Sequence, residues 1–136
     1  MDNLYKSVLS LEKCKYLLTL LADKPNSGLF WIRVSGPTNN FLVTKTNVEI
    51  YEDLNFVEQI IPAFTIIDLL DFLPKYVEKE GVKYYLNTQE FNKRWNITYR
   101  NVDSIRYLYY SEDKSLLDCL YNCLLWKLIV YDHKDI

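Results

Sequence analysis

The side chains that could do chemistry are few and scattered along this sequence of 136 residues. Cys119 and Cys123 are four residues apart, a spacing that places both thiols on one helical face and would let them share a metal ion. No third ligand lies near them in the sequence. We therefore interpret both, together with Cys14, as small buried apolar side chains, and we predict no metal site.

The other candidates for catalysis are isolated from one another. His133 is the only histidine and lies in a polar tail, whereas a general base needs a positioned pocket. Asp68 and Asp71 have no partner with which to form a metal site, and the three glycines are too scattered to form a phosphate-binding loop. We expect a protein that is not an enzyme and that has no cofactor.

Composition indicates one folded domain over residues 1–136, because 49% of the residues are apolar and can enclose a core. The net charge of −2 argues against binding by bulk attraction to a polyanion. The first residues lack the pattern of a signal peptide, the cysteine count is odd, and no segment is apolar for long enough to cross a bilayer. We therefore expect a cytoplasmic protein with free thiols that does not bind a membrane.

The first half of the sequence predicts a helix and a hairpin. Ser10 is a helix-capping residue, and the apolar spacing after it predicts a helix that stops around residues 23–25. Residues 29–34 and 41–46 flank a run of turn-forming residues and predict a hairpin, whose second arm would continue into residues 47–51. An acidic connection leads from the hairpin to residue 64.

The second half predicts an α-β-β-β-α unit over residues 65–131. Thr65 with Asp68, and Ser115 with Asp118, have the spacing of capping boxes at the start of two helices. Between them, "VKYYLNTQEF", "WNITYR" and "IRYLYY" predict three strands. The whole order is α-β-β-α-β-β-β-α, which indicates an α+β fold with helices packed on one face of an antiparallel sheet.

Charge is divided unevenly along the chain. Residues 49–81 contain eight acids against two lysines, whereas residues 82–110 contain five basic residues against two acids. The segment of the three predicted strands is therefore the basic part of an acidic protein.

Alternation along these strands predicts a core face and a second face that is polar, basic and rich in tyrosine. The predicted core face comprises Tyr84, Leu86, Trp95, Ile97, Tyr99, Ile105, Tyr107 and Tyr109. We expect an interaction site on the other face, formed by Lys83, Tyr85, Arg100, Arg106 and Tyr110. Such a face suits either stacking on nucleic-acid bases or contact with a protein, since tyrosine and arginine are favoured in both.

The last predicted helix offers a second candidate surface. It is apolar nearly all round, so it should be covered on more than one side. Tyr121, Leu125 and Trp126 are the expected outer face, which a second subunit or another protein would cover.

Two resemblances accompany these patterns. The α-β-β-β-α order resembles that of double-stranded RNA-binding domains, although those domains have a basic start to the last helix and this chain has "SEDKSLLD" there. The segments "IPAFTIIDLLDFLP", "YYLNTQEFNKRWNITYRN" and "SLLDCLYNCLLWKLI" resemble short uncharacterised proteins of phages and mobile elements of gut Bacteroidetes. The second resemblance implies a product of a phage or integrated element that acts on host or phage macromolecules.

The sequence therefore leaves two functions open. The first is a small non-enzymatic protein-interaction module, such as a phage-type modulator of a host protein. The alternative is a nucleic-acid-binding module that uses the tyrosine and arginine face of the C-terminal sheet.

Overall fold

The computed structural model describes residues 7–22, 27–35 and 40–133. It confirms an α+β fold built from antiparallel strands, but the strands form two sheets where one was predicted. The chain divides into two compact units between Asp68 and Leu69, close to the predicted start of the C-terminal unit at residue 65.

Each unit combines helices with one sheet. The first unit contains, in chain order, α1 (Leu11–Leu20), β1 (Leu29–Val34), β2 (Asn40–Thr44), α2 (Lys45–Glu52) and β3 (Val57–Pro62). Helix α3 (Ile66–Phe72) crosses the division between the units. The second unit continues with β4 (Tyr76–Lys79), β5 (Val82–Phe91), β6 (Arg94–Asn101), β7 (Arg106–Asp113), α4 (Leu116–Leu125) and a π-helix (Trp126–Tyr131).

Helix α1 begins at the predicted capping residue. The Ser10 hydroxyl accepts a hydrogen bond from the Lys13 amide at 3.3 Å, which satisfies one of the amides that a helix start leaves unpaired. The helix ends at Leu20, and the predicted stop at residues 23–25 lies outside the described residues. Leu11, Cys14 and Leu17 form its buried face.

The first sheet has the strand order β2-β1-β3 and contains the predicted hairpin of β1 and β2. The predicted extension of the hairpin into residues 47–51 is wrong, because α2 follows β2 directly. Val48 and Tyr51 are three residues apart, so a helix turns both inward while Glu49 and Glu52 stay exposed or near the surface. The acidic connection is also not irregular, since it contains α2 and the strand β3.

The predicted capping box at the start of α3 is confirmed in both directions. The Thr65 amide donates to Asp68 Oδ2 at 2.9 Å, and the Asp68 amide donates to the Thr65 hydroxyl at 3.2 Å. These reciprocal bonds satisfy two amides and fix where the helix begins.

The second sheet has the strand order β4-β5-β6-β7, with every neighbouring pair antiparallel. The short strand β4 was not predicted. Two-residue turns join β4 to β5 at Glu80-Gly81 and β5 to β6 at Asn92-Lys93, and all four residues have positive φ angles. Such turns match the right-handed twist of the strands, which explains the long, regular pairing of β5 with β6.

A β-bulge in β7 reverses part of the predicted face assignment. Tyr99 lies opposite Tyr109, but Arg100 lies opposite Tyr107, so Leu108 is an extra residue without its own partner position. Tyr107, predicted in the core, is therefore on the same face as Arg100 and is exposed. Arg106 lies opposite Asn101 and shares the other face, which corrects its predicted position beside Arg100.

Helix α4 begins at Ser115, whose hydroxyl accepts from the Asp118 amide at 3.2 Å, and the helix packs on β6 and β7. The predicted outer face of this helix is not found as an exposed surface. Tyr121 is buried and Leu125 is half-buried. The ring of Trp126 lies 4.8 Å from that of Tyr109, on the core side of the sheet, because the apolar sheet face needs a cover.

The π-helix brings Tyr131 to the outer edge of β4. Its hydroxyl donates to the Glu78 carbonyl oxygen at 2.7 Å and accepts from the Glu78 amide at 3.2 Å. Unpaired backbone groups on an edge strand can pair with another chain, so this double hydrogen bond protects the edge at its middle.

We expect Tyr131→Phe to lower the free energy of unfolding by about 1–2 kcal/mol, because the ring stays but its hydrogen bonds to the backbone are lost. The freed edge should also increase self-association. Urea unfolding and light scattering at high protein concentration measure the two effects. Tyr76→Phe, on the same strand, is the control and should change neither quantity; equal behaviour of the two variants would contradict the protective role.

Candidate interaction face on the second sheet

A row of three tyrosines and one arginine crosses all four strands of the second sheet on the face opposite α4. Tyr76 lies opposite Tyr85, Tyr85 opposite Arg100, and Arg100 opposite Tyr107. We name these four residues the tyrosine row and the sheet face that carries them the open face. The three tyrosines are 44%, 47% and 56% exposed in that order, although large aromatic side chains usually bury most of their surface.

A second line of residues runs beside the tyrosine row. Asn87 lies opposite Thr98, and Thr98 lies opposite Tyr110. The Tyr110 ring is 6.3 Å from that of Tyr107, in an edge-to-face arrangement. Thr98 is buried at the centre of this line, whereas Tyr110 is exposed. The rings of Tyr107 and Tyr110 therefore form a continuous aromatic surface along β7.

Two of the three cations on the strands of this face, Lys83 and Arg94, have an acidic residue on a neighbouring strand. Lys83 lies opposite Glu78, and its ammonium group is 4.7 Å from the centroid of the Tyr76 ring. Arg94 Nε lies 2.6 Å from Glu112 Oε1. The hydrogen bond from Arg94, with a second from Tyr110, holds the pKa of Glu112 below its usual value. Glu112 therefore stays ionised and balances Arg94 at neutral pH.

A cavity of about 120 Å³ opens beside the tyrosine row, at the turn between β6 and β7. Its lining comprises Arg100, Asn101, Val102, Ile105 and Tyr107. Hydrogen bonds fix the position of Asn101: its Nδ2 donates to the Lys83 carbonyl oxygen at 2.9 Å, and its Oδ1 accepts from the amide and the hydroxyl of Ser104, both at 2.8 Å. The turn thus holds one wall of the cavity rigidly.

Ile105 is held in an unfavourable backbone conformation at the mouth of this cavity. Its φ angle is +53°, a region that a β-branched residue rarely adopts, and its side chain is 82% exposed. Strain of this kind costs roughly 1–3 kcal/mol and is concentrated at functional sites. No apolar burial offsets it here, so this residue points to a role outside folding.

The structure brings together four of the five residues predicted for the sheet site. Lys83, Tyr85, Arg100 and Tyr110 lie on the open face, and Arg106 does not. Tyr76, Tyr107, Val102 and Ile105 also belong to the site, although the sequence did not place them there. Tyr107 was not predicted on the open face because alternation of side chains does not reveal the bulge. Tyr76 was not predicted there because β4 is too short to give a strand pattern.

The thiols are placed as small core side chains. Cys14, Cys119 and Cys123 are buried, and burial raises the pKa of each, to about 11 for Cys14. Among the residues that the structure describes, no group of three histidine, cysteine or acidic side chains could hold a metal ion.

No helix in the described segments is both long and apolar enough to cross a membrane. Comparison of the chain with protein-family models, with curated protein sequences and with solved structures gives no significant match. Its own geometry is therefore the basis on which a function is assigned to the open face.

Proposed function

We propose that this protein is a small non-enzymatic interaction module that binds another protein through the open face. The tyrosine row supports this proposal most directly. It presents Tyr76, Tyr85 and Tyr107, all close to half exposed, around the guanidinium of Arg100 on a rigid antiparallel sheet. Tyrosine and arginine are enriched among the residues that contribute most to protein–protein binding.

The charges of the open face favour a protein over a nucleic acid. Binding to a phosphate backbone depends on lysine and arginine that can release counterions. Glu78 lies opposite Lys83 and Glu112 pairs with Arg94, so among the described residues of this face Arg100 is the cation without an acidic partner on a neighbouring strand. One such cation would hold a nucleic acid weakly, but it suits a protein interface well.

The size of the face favours a transient complex. Four strands of about eight residues present roughly 20 Å by 25 Å, or roughly 500 Å², from the usual strand spacing and rise. A standard interface buries about 800 Å² on each partner, so contacts confined to this face are at the small end. The resemblance to phage and mobile-element proteins suggests a host protein as the partner.

The exposed rings also support the alternative, a nucleic-acid-binding module. Aromatic side chains on a sheet stack on unpaired bases, and Arg100 lies between two of the tyrosines. Such binding should weaken steeply between about 50 and 200 mM salt. Saturable, salt-sensitive binding of a single-stranded oligonucleotide that Arg100→Glu abolishes would favour this alternative.

The test uses the tagged parent protein and two variants to capture binding partners from the lysate of a gut Bacteroidetes bacterium. Tyr107→Ala with Arg100→Ala should weaken capture of the partner at least thirtyfold, because the loss of a single central hot-spot residue commonly costs about 2 kcal/mol, and about 1.4 kcal/mol is a factor of ten. Tyr16→Ala, which removes an exposed tyrosine from α1, is the control and should capture the partner as the parent does.

Nuclease treatment separates the two functions. A protein captured in a fixed ratio by the parent and by Tyr16→Ala, with or without nuclease, supports the proposal. Capture that nuclease abolishes would replace it with the nucleic-acid alternative. Capture that the open-face double variant leaves unchanged would show that the open face is not the site.

A further inference from the structure

We propose that the cavity at the β6–β7 turn receives an aspartate or glutamate side chain of the protein partner, with an apolar residue beside it in the partner sequence. This inference rests on the proposed function and names the chemistry that the open face recognises. The cavity that carries it is lined by a cation, an amide, two aliphatic side chains and a phenol ring.

The volume of the cavity favours a single side chain as its ligand. Sites for small molecules and cofactors commonly enclose roughly 300–1,000 Å³, whereas this cavity has about 120 Å³. It is also open at the surface beside the tyrosine row, so a residue of a protein lying across the sheet can enter it from above. One side chain of a bound protein fits these dimensions.

The charge of the cavity lining favours an acidic residue of the partner. Arg100 is the charged residue among the five that line the cavity, whereas Arg106, opposite Asn101, lies on the other face of the sheet. Asp103, in the turn, is the nearest acid in sequence, while Lys83 is offset by Glu78 across the strand pair. The lining therefore contributes one positive charge and no negative one. A carboxylate is the group whose geometry an arginine fork matches best.

The aliphatic side chains that line the cavity favour an apolar residue next to the acid in the partner sequence. Val102 is 69% exposed and Ile105 is 82% exposed, and both lie on the rim beside Arg100. Covering these aliphatic groups would contribute about 25 cal/mol for each Å² of apolar surface removed from water. The left-handed φ angle of Ile105 is a second, independent observation, because the fold retains strain there without burying the side chain.

A displayed library of random peptides of about twelve residues provides the test. The parent protein should enrich peptides in which aspartate or glutamate adjoins leucine, isoleucine, valine or methionine. For a selected peptide, Arg100→Gln should weaken binding at least tenfold, and replacing the peptide acid by its amide should do the same. Because both changes break one contact, the two together should weaken binding by little more than either alone.

Two variants serve as controls for position and for folding. Arg33→Gln removes a guanidinium from the first sheet, where Arg33 Nε lies 3.7 Å from Glu58 Oε2, and should leave peptide binding unchanged. Ile105→Gly should weaken binding without loss of stability, since glycine adopts a positive φ angle freely. Its loss of binding therefore cannot arise from unfolding.

The outcomes separate this inference from the proposed function. Selected peptides that need Tyr76 or Tyr85 but bind equally well to Arg100→Gln would overturn the acidic anchor and keep the open face as the site. Selected peptides that lack an acid would do the same. A library from which the parent enriches nothing would overturn the acidic anchor, and lysate capture would then decide the proposed function separately.

Discussion

Replacing Trp126 by alanine should lower the free energy of unfolding by about 3 kcal/mol, the low end of the cost of removing a large aromatic side chain from a core, because Trp126 is partly buried. Its ring lies 4.8 Å from Tyr109, 5.6 Å from Tyr131 and 5.7 Å from Tyr99. The contacts with Tyr109 and Tyr99 join the last helical segment to the sheet. Most domains are stable by only about 5–15 kcal/mol, so the variant should be largely unfolded at modest denaturant concentration.

Urea unfolding followed by circular dichroism measures this change. Val130→Ala, on the same π-helix but with a side chain that is 55% exposed, is the control and should shift the free energy of unfolding by less than about 0.5 kcal/mol. A Trp126→Ala variant as stable as Val130→Ala would contradict the packing of Trp126 on the sheet. It would return this residue to the outer surface that the sequence predicted.

The second large effect should be a loss of stability in alkali. Burial raises the pKa of Cys14 from 9.0 to about 11 and that of Tyr109 from 10.0 to about 12. Burial likewise raises the pKa of Tyr99 and of Cys123. Each of these groups is neutral when protonated, so the folded protein resists losing a proton that the unfolded chain gives up readily.

The direction of this pH effect follows from the difference in bound protons between the folded and the unfolded chain. Stability should be fully present below about pH 9 and should fall as the pH rises toward about 12, because the unfolded chain loses these protons first. The raised pKa of the buried Cys14 corresponds to about 3 kcal/mol, and that of Tyr109 contributes less because solvent screens this partly buried phenol. Urea unfolding at intervals between about pH 8 and pH 12 should show this decline.

Cys123→Ala tests the origin of the decline. It removes one of the buried acids, so the slope of unfolding free energy against pH should become less steep by about one proton between about pH 9 and pH 12. Val130→Ala removes no ionisable group and should keep the slope of the parent. A flat profile across this range in the parent would contradict the burial of these thiols and phenols.

The features that the sequence predicted correctly depend on short-range chemistry. Ser10, Thr65 and Ser115 each accept a hydrogen bond from an amide three residues later, which a capping pattern predicts directly. Strand β5 occupies the predicted residues, since the turn at Asn92-Lys93 and strong alternation mark its end. In each case a few neighbouring residues determine the conformation.

The features that the sequence did not predict depend on pairing at a distance. Helix α2 was interpreted as a strand because Val48 and Ile50 favour strands locally, whereas packing in the first unit selects the helix. Strand β4 has four residues and forms only by pairing with β5. The bulge at Leu108 arises from the register between β6 and β7, and no pattern within β7 reveals it.

The same bulge decides how much of the candidate site was predictable. Residues that precede the bulge in the sequence, including Lys83, Tyr85 and Arg100, lie on the predicted face. On the turn side of the bulge in β7, the assignments of Tyr107 and Arg106 are exchanged. Regular alternation thus finds the middle of the open face but not the cavity at its end.

The hydrogen bonds of Tyr131 have a consequence for how this chain is made. Tyr131 lies 53 residues after Glu78, so the ribosome must add those residues before the hydroxyl can reach the edge of β4. At about 5–20 residues per second, the edge stays without this protection for several seconds of synthesis. In that interval, nascent chains on one messenger are close together and can pair through β4. Slow translation of the residues between Glu78 and Tyr131 should therefore increase aggregation through this edge.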